Sequence, residues 1–94
     1  MSQSAHANSE TATISIETFS HSSSGKITAA WVEIDSPSGH FVVGPGHTET
    51  ISLIRPGSTI VYQAPDGNQG SFVAPGGLAI IQNNIIKLIL YSSL

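Results

Sequence analysis

The chain contains no cysteine, which excludes a disulfide framework, a thiolate zinc site and a cysteine nucleophile. Positive charge is nearly as scarce. Lys26, Arg55 and Lys87 are the whole basic complement, far apart in sequence, and the formal net charge is −3. Without a basic stripe to neutralise phosphates, nucleic acid is excluded as an expected partner. Long apolar runs are missing too. The strongest, Ile85 to Tyr91, is interrupted by Lys87 and falls far short of the ~20 residues that a spanning helix needs. Direct membrane insertion is therefore not expected. Met1 to Thr11 offers neither a lysine or arginine nor an apolar stretch, so no secretory signal is read there and the expected location is cytoplasmic.

What remains is a composition that folds. Of 94 residues, 39% are hydrophobic and only 10% charged, the reverse of the charge-rich, core-poor profile of disorder. That length holds one domain. Residues 1–12 are small and polar and read as a disordered tail; residues 13–94 read as a single β-sandwich domain.

From Thr13 onward, short stretches rich in β-branched and aromatic residues are separated by Gly, Pro, Asn and Asp. Such spacing predicts an all-β, antiparallel β-sandwich of about 8 to 10 short strands. The predicted strands are 13–20, 26–34, 40–43, 48–54, 58–64, 71–74, 78–81 and 85–91. No window is long enough and free enough of Gly and Pro to favour an ordinary helix.

Turn chemistry supports this reading. Arg55-Pro56-Gly57 puts proline and glycine at the two central positions of a type II turn. Asp66-Gly67 signals a hairpin with a loop longer than two residues, and Asn83-Asn84 suits the turn of the last hairpin. Alternation gives the 48–54 strand one apolar face, with Ile51 and Leu53, and one hydroxyl-bearing face, so it is expected to be half buried with its apolar side inward. In 26–34 both faces are apolar, which implies cover on both sides or a bulge. Trp31, on that stretch, is expected in the core, its alternative being an interface anchor. The 85–91 strand is expected to be central in its sheet or covered by a partner.

Gly39-His40-Phe41-Val42-Val43-Gly44-Pro45-Gly46-His47, then Ile51 and Arg55-Pro56-Gly57, followed downstream by Gly76-Gly77-Leu78, resembles the ATP synthase epsilon family pattern Gly-x-Phe-Gly-x-Leu-Pro-Gly-His, Lys-Pro-Gly and Gly-Gly-Phe. The resemblance spans about residues 13–91. It implies the epsilon N-terminal β-sandwich, a non-catalytic coupling part of proton-coupled ATP synthesis. In that family the sandwich packs on the gamma chain of the central stalk and rests on the ring of membrane c subunits. The implied location is peripheral, on the cytoplasmic face of an energy-coupling membrane.

A helical hairpin with ratchet, inhibitory or ATP-binding roles follows the sandwich in the family, whereas this sequence stops at Leu94, so a form without it is the expectation. The implied partner-binding residues are Ser38, Gly39, His40, Phe41, Gly44, Pro45, Gly46 and His47; Pro56, Gly57, Gly76 and Gly77 are structural turns. Thr48-Glu49-Thr50 replaces the family's Ala-Pro-Leu, Gly44 replaces its Leu, and His40 stands where an acidic residue is common, which changes the sign of that contact. A diverged relative with another protein or a glycan as partner is the alternative.

No catalytic, cofactor or metal residues are assigned. His40, His47 and Glu49 carry the right atoms for zinc, but three or four ligands must converge and the Gly-Pro-Gly bend separates His40. A loop histidine bonded to nearby backbone is the expectation. Asp35, Ser36 and His40 are adjacent in sequence, but a triad is made by geometry across a fold.

Overall fold

A computed structural model describes residues 12–21 and 23–91; the tail assigned to residues 1–12 falls almost wholly outside this range, as do 92–94. Nine strands are present among the described residues: β1 Ile14–Phe19, β2 Ser24–Ala29, β3 Trp31–Ser36, β4 Gly39–Val43, β5 Thr50–Ile54, β6 Ser58–Gln63, β7 Gln69–Ala74, β8 Gly77–Gln82 and β9 Ile85–Leu90. They form a five-stranded sheet, β2-β1-β9-β8-β5, stacked on a four-stranded sheet, β4-β3-β6-β7. All pairs are antiparallel except β1 with β9. The expected β-sandwich is what the chain forms. None of the described residues forms a helix long and apolar enough to cross a membrane.

The core lies between the sheets, where period-2 alternation points every second side chain inward. Ile14, Ile16, Ala79, Ile81, Ile86 and Leu88 come from the five-stranded sheet and meet Val32, Ile34, Val43, Ile60 and Ala74 of the other, all nearly inaccessible to water. Burying such side chains is the main favourable term, roughly 1.5–3 kcal/mol each.

Three expectations change. The stretch 26–34 is two strands rather than one. At Ala30, whose N–H donates to the Gln63 carbonyl at 2.7 Å, the chain leaves the five-stranded sheet and enters the other. Crossing between layers inverts the inward parity, so Ile27 and Ala29 face the core before the crossing and Val32 and Ile34 after it. The two apolar faces read from sequence are one inward face on each of two strands.

Trp31 sits just past the crossing, on the wrong parity for the core. It is half-buried on the outside of the four-stranded sheet. In β5 the expected facing is reversed. Ile51 and Leu53 point outward, 70% and 55% exposed, while Ile54 is buried behind the hydroxyl residues Thr50 and Ser52. Strand β9 is central as expected, between β1 and β8.

The turns follow their chemistry. Ser58 N–H donates to Arg55 O at 3.1 Å with Gly57 at φ 76°, the conformation a type II turn requires and only glycine adopts freely. Asn83 and Asn84 take φ 55° and 63°, closing β8 and β9 as a primed turn. Gly77 has a different reason to be glycine: a Cβ there would collide with the backbone carbonyl of Ile89 on the neighbouring strand, and its φ is 154°.

Candidate docking surfaces

The segment from Ser38 to His47 is not one loop. Its middle, Gly39–Val43, is strand β4, which carries the chain from one end of the sandwich to the other. Five extended residues span about 14 Å, so the eight residues expected to bind a partner fall into two separate groups.

At one end stand Ser38, Gly39 and His40. Ser36 Oγ donates to Gly39 O at 2.8 Å and accepts from Ser38 N at 3.3 Å, which closes the β3–β4 turn. His40 lies opposite Asp35 in register. Its Nε2 is 3.4 Å from Asp35 and its Nδ1 3.7 Å from Glu33, with the imidazole 62% exposed. Asp35 is buried, and Arg55 holds it twice: the guanidinium at 2.8 Å and the Arg55 N–H to the Asp35 carbonyl at 2.8 Å. Arg55 belongs to the corner that leads from β5 to β6, so this pair ties the two sheets together. Pro56, Gly57, Gly76 and Gly77 lie at the same end, where the Gly57 N–H donates to Ala74 O and the Tyr91 N–H to Gly76 O, both at 2.8 Å.

At the other end stand Gly44, Pro45, Gly46 and His47. His47 N–H donates to Gly44 O at 3.2 Å, a second Pro-Gly turn. Gly46 N–H donates to Asn84 Oδ1 at 2.7 Å, so the turn entering β5 is fixed to the β8–β9 turn. The His47 Nδ1 is 2.8 Å from Thr48 O, the backbone partner expected for it. Phe41 turns inward against the core, its ring centroid 6.3 Å from that of His47. The Gly46 and His47 N–H groups and the His47 Nδ1 are thus engaged within the fold.

Sequence reasoning missed the outer face of the five-stranded sheet. Pairing places Leu53 opposite Leu78, Leu78 opposite Ile89, and Ile89 beside Phe19. These four form a continuous apolar row across β5, β8, β9 and β1. Leu53, Ile89 and Phe19 are 55%, 41% and 39% exposed. The next row reads Ile51, Ile80, Lys87, Glu17 and Lys26, apolar at one side and alternating in charge at the other. A contiguous exposed apolar patch rimmed by charge marks an interaction site. The signal lies in the alternation of 48–54, whose apolar face, expected inward, points out.

Known proteins are similar to this chain in sequence and in fold. The family model described as ATP synthase, Delta/Epsilon chain, beta-sandwich domain matches residues 12–92. The ATP synthase epsilon chain of Bordetella avium is 37% identical over 60 residues, which cover 64% of this chain and 43% of that one. The epsilon chain of Bordetella petrii is 34% identical over 61 residues, with 65% and 43% covered. The chain thus spans about two-fifths of the length of these curated relatives.

Among solved structures, a chain of the Euglena gracilis mitochondrial ATP synthase, determined as OSCP/F1/c-ring, superposes with TM-score 0.79 at 19% identity, covering 88% of this chain and 53% of that one. A chain of the Tetrahymena thermophila mitochondrial ATP synthase central stalk and c-ring superposes with TM-score 0.70 at 9% identity, covering 84% and 63%. At those identities the likeness is one of fold.

Proposed function

This chain belongs to the ATP synthase delta/epsilon beta-sandwich family, and on that footing we propose that it is a non-catalytic coupling part of a proton-driven ATP synthase, docking on the central stalk and the c ring. The carrying observation is the row Leu53, Leu78, Ile89 and Phe19. Covering it removes four large apolar side chains from water along one line, a geometry that suits the apolar stripe of a stalk helix laid across the strands. Its rim of Lys87, Glu17 and Lys26 supplies charges of both signs to set the register of that partner.

The c ring is assigned to Ser38, Gly39 and His40. These are exposed at the tip of the β3–β4 hairpin, with the His40 imidazole 62% exposed, whereas the Gly46 and His47 N–H groups of the other turn are bonded within the fold. Glu33 and Asp35 flank His40, so the tip keeps an acidic surround although His40 itself replaces an acid. Gly44, Pro45, Gly46 and His47 then act as the turn that positions β5, and through it Leu53. The location that follows is peripheral, at the cytoplasmic face of an energy-coupling membrane.

Co-purification tests the reading. Tagged protein is expected to recover the gamma and c subunits, and a lysine at Leu53 to lose the gamma chain while the fold persists. Recovery of neither subunit, with proton-coupled ATP synthesis intact after deletion of the gene, would overturn it and favour a free-standing binding module.

A further inference from the structure

The opposite face of the sandwich carries a second feature, which shares only Glu33 with the docking reading. Strand β3 places Trp31 and Glu33 two residues apart, so both project from the outside of the four-stranded sheet. Glu33 lies opposite Val42 on β4 and Val61 on β6. Trp31 lies opposite Gln63 on β6, and β4 ends at Val43, opposite Val32, so the strand does not continue alongside Trp31. Trp31, Glu33 and Val42 line a shallow hollow of about 240 Å³.

The hollow combines an aromatic face, a carboxylate and an aliphatic wall. A guanidinium or ammonium group on an alkyl stem matches all three: its charge is attracted to the ring and the carboxylate, while the stem packs on Val42. The chain has no such group to place there. Lys26 and Lys87 project from the other sheet's outer face, Arg55 is engaged by Asp35 at 2.8 Å, and these are all the lysines and arginines the chain has. The His40 imidazole stands 3.7 Å from Glu33 and 3.4 Å from Asp35, within ion-pairing reach of both, but it is 62% exposed and has no alkyl stem to lay on Val42. We infer that this hollow receives an arginine or lysine side chain of a partner protein, with Trp31 as the stacking surface and Glu33 as the counter-charge.

Trp31 is the sole tryptophan, so its emission reads the site directly. The probes are the capped peptides Ac-Gly-Arg-Gly-NH2 and Ac-Gly-Lys-Gly-NH2, with Ac-Gly-Gln-Gly-NH2 as the neutral control. Both basic peptides are expected to change Trp31 emission saturably in the millimolar range, arginine more tightly than lysine, and the neutral one to give no saturation. Glu33→Gln should weaken arginine binding about threefold. Val42→Ser, which removes the aliphatic wall at an exposed position, should weaken it about twofold. Glu17→Gln, on the other sheet, should leave it unchanged.

A response equal for the basic and neutral peptides, or equal in native protein and Glu33→Gln, overturns the inference. Should Val42→Ser fail to fold, Glu33→Gln decides alone, being an isosteric change at a half-buried surface position. The hollow and the apolar row lie on opposite faces, so either proposal can fail without the other.

Discussion

The two outer faces of the sandwich contain similar residues in different arrangements. On the five-stranded sheet, Leu53, Leu78, Ile89 and Phe19 are neighbours in register. On the outside of the four-stranded sheet no two aliphatic residues are neighbours in register. Glu33 separates Val42 from Val61, and Thr59 stands beside Val73. Val73 is 67% exposed, more than Leu53 at 55%, so exposure does not distinguish the faces. Contiguity does, because isolated surface apolar residues are ordinary and a joined row is not. One face offers a line to a helix, and the other a single hollow to a single side chain.

The largest test of this contrast lies beneath the rows. Gly77 lets β8 approach β9 where the apolar row crosses them. In Gly77→Ala the new methyl meets the fixed backbone carbonyl of Ile89, and a loss of about 3 kcal/mol in urea unfolding is expected. Gly70 in the other sheet is the matched control. There a methyl meets the ring of half-buried Tyr62, a side chain that can swing aside, so Gly70→Ala should cost about 1 kcal/mol or less. Equal losses would mean that both sheets are equally tightly built at these glycines.

Next comes a matched pair of surface changes, Leu53→Lys on edge strand β5 and Val73→Lys on edge strand β7. Lysine is well tolerated on edges, so neither should shift stability by more than about 1 kcal/mol. Leu53→Lys should weaken gamma binding about thirtyfold, the scale of a central interface residue, and Val73→Lys should leave it unchanged in the same titration. If the two substitutions weaken binding alike, contiguity is not what distinguishes the faces.

Arg55→Met tests what holds the faces in their mutual position. It removes the guanidinium from buried Asp35 while keeping the side chain's bulk. Asp35 is left with only His40 at 3.4 Å, and the expected cost is about 1–2 kcal/mol by thermal or urea unfolding. An unchanged midpoint would show that the core alone aligns the layers.

The layered fold was legible because turn residues and β-branched stretches act locally. Arg55-Pro56-Gly57 and Asn83-Asn84 take the conformations their chemistry favours whatever surrounds them. Facing was less legible, because parity is local but the direction of the core is not. Ile51 and Leu53 alternate with Thr50 and Ser52 equally well with either side inward, and it is the register with β8, which seats Ile54 in the core, that turns the apolar side out. Ala30 gives no turn signal, so the crossing between sheets was hidden and Trp31 was put on the wrong side. The candidate site was legible as a set of residues and not as a shape. A Gly-Pro-Gly bend announces a turn, but the five residues before it do not announce that they carry the chain from one end of the sandwich to the other.

The smallest expected effect concerns the end opposite Arg55. Asn84, in the five-stranded sheet's last turn, accepts from Gly46 N–H at 2.7 Å, the counterpart there of the Arg55–Asp35 tie. Asn83 and Asn84 both have positive φ, so glycine at either position relieves the same backbone cost. They differ in one hydrogen bond. Asn83→Gly should be neutral or stabilising by a few tenths of a kcal/mol, while Asn84→Gly forfeits the tie and should cost about 1 kcal/mol net. Amide exchange at Gly46 reads the difference at its source, faster in Asn84→Gly and unchanged in Asn83→Gly. Equal stabilities with equal Gly46 protection would place the alignment of the two faces, at this end, in the core rather than in the tie.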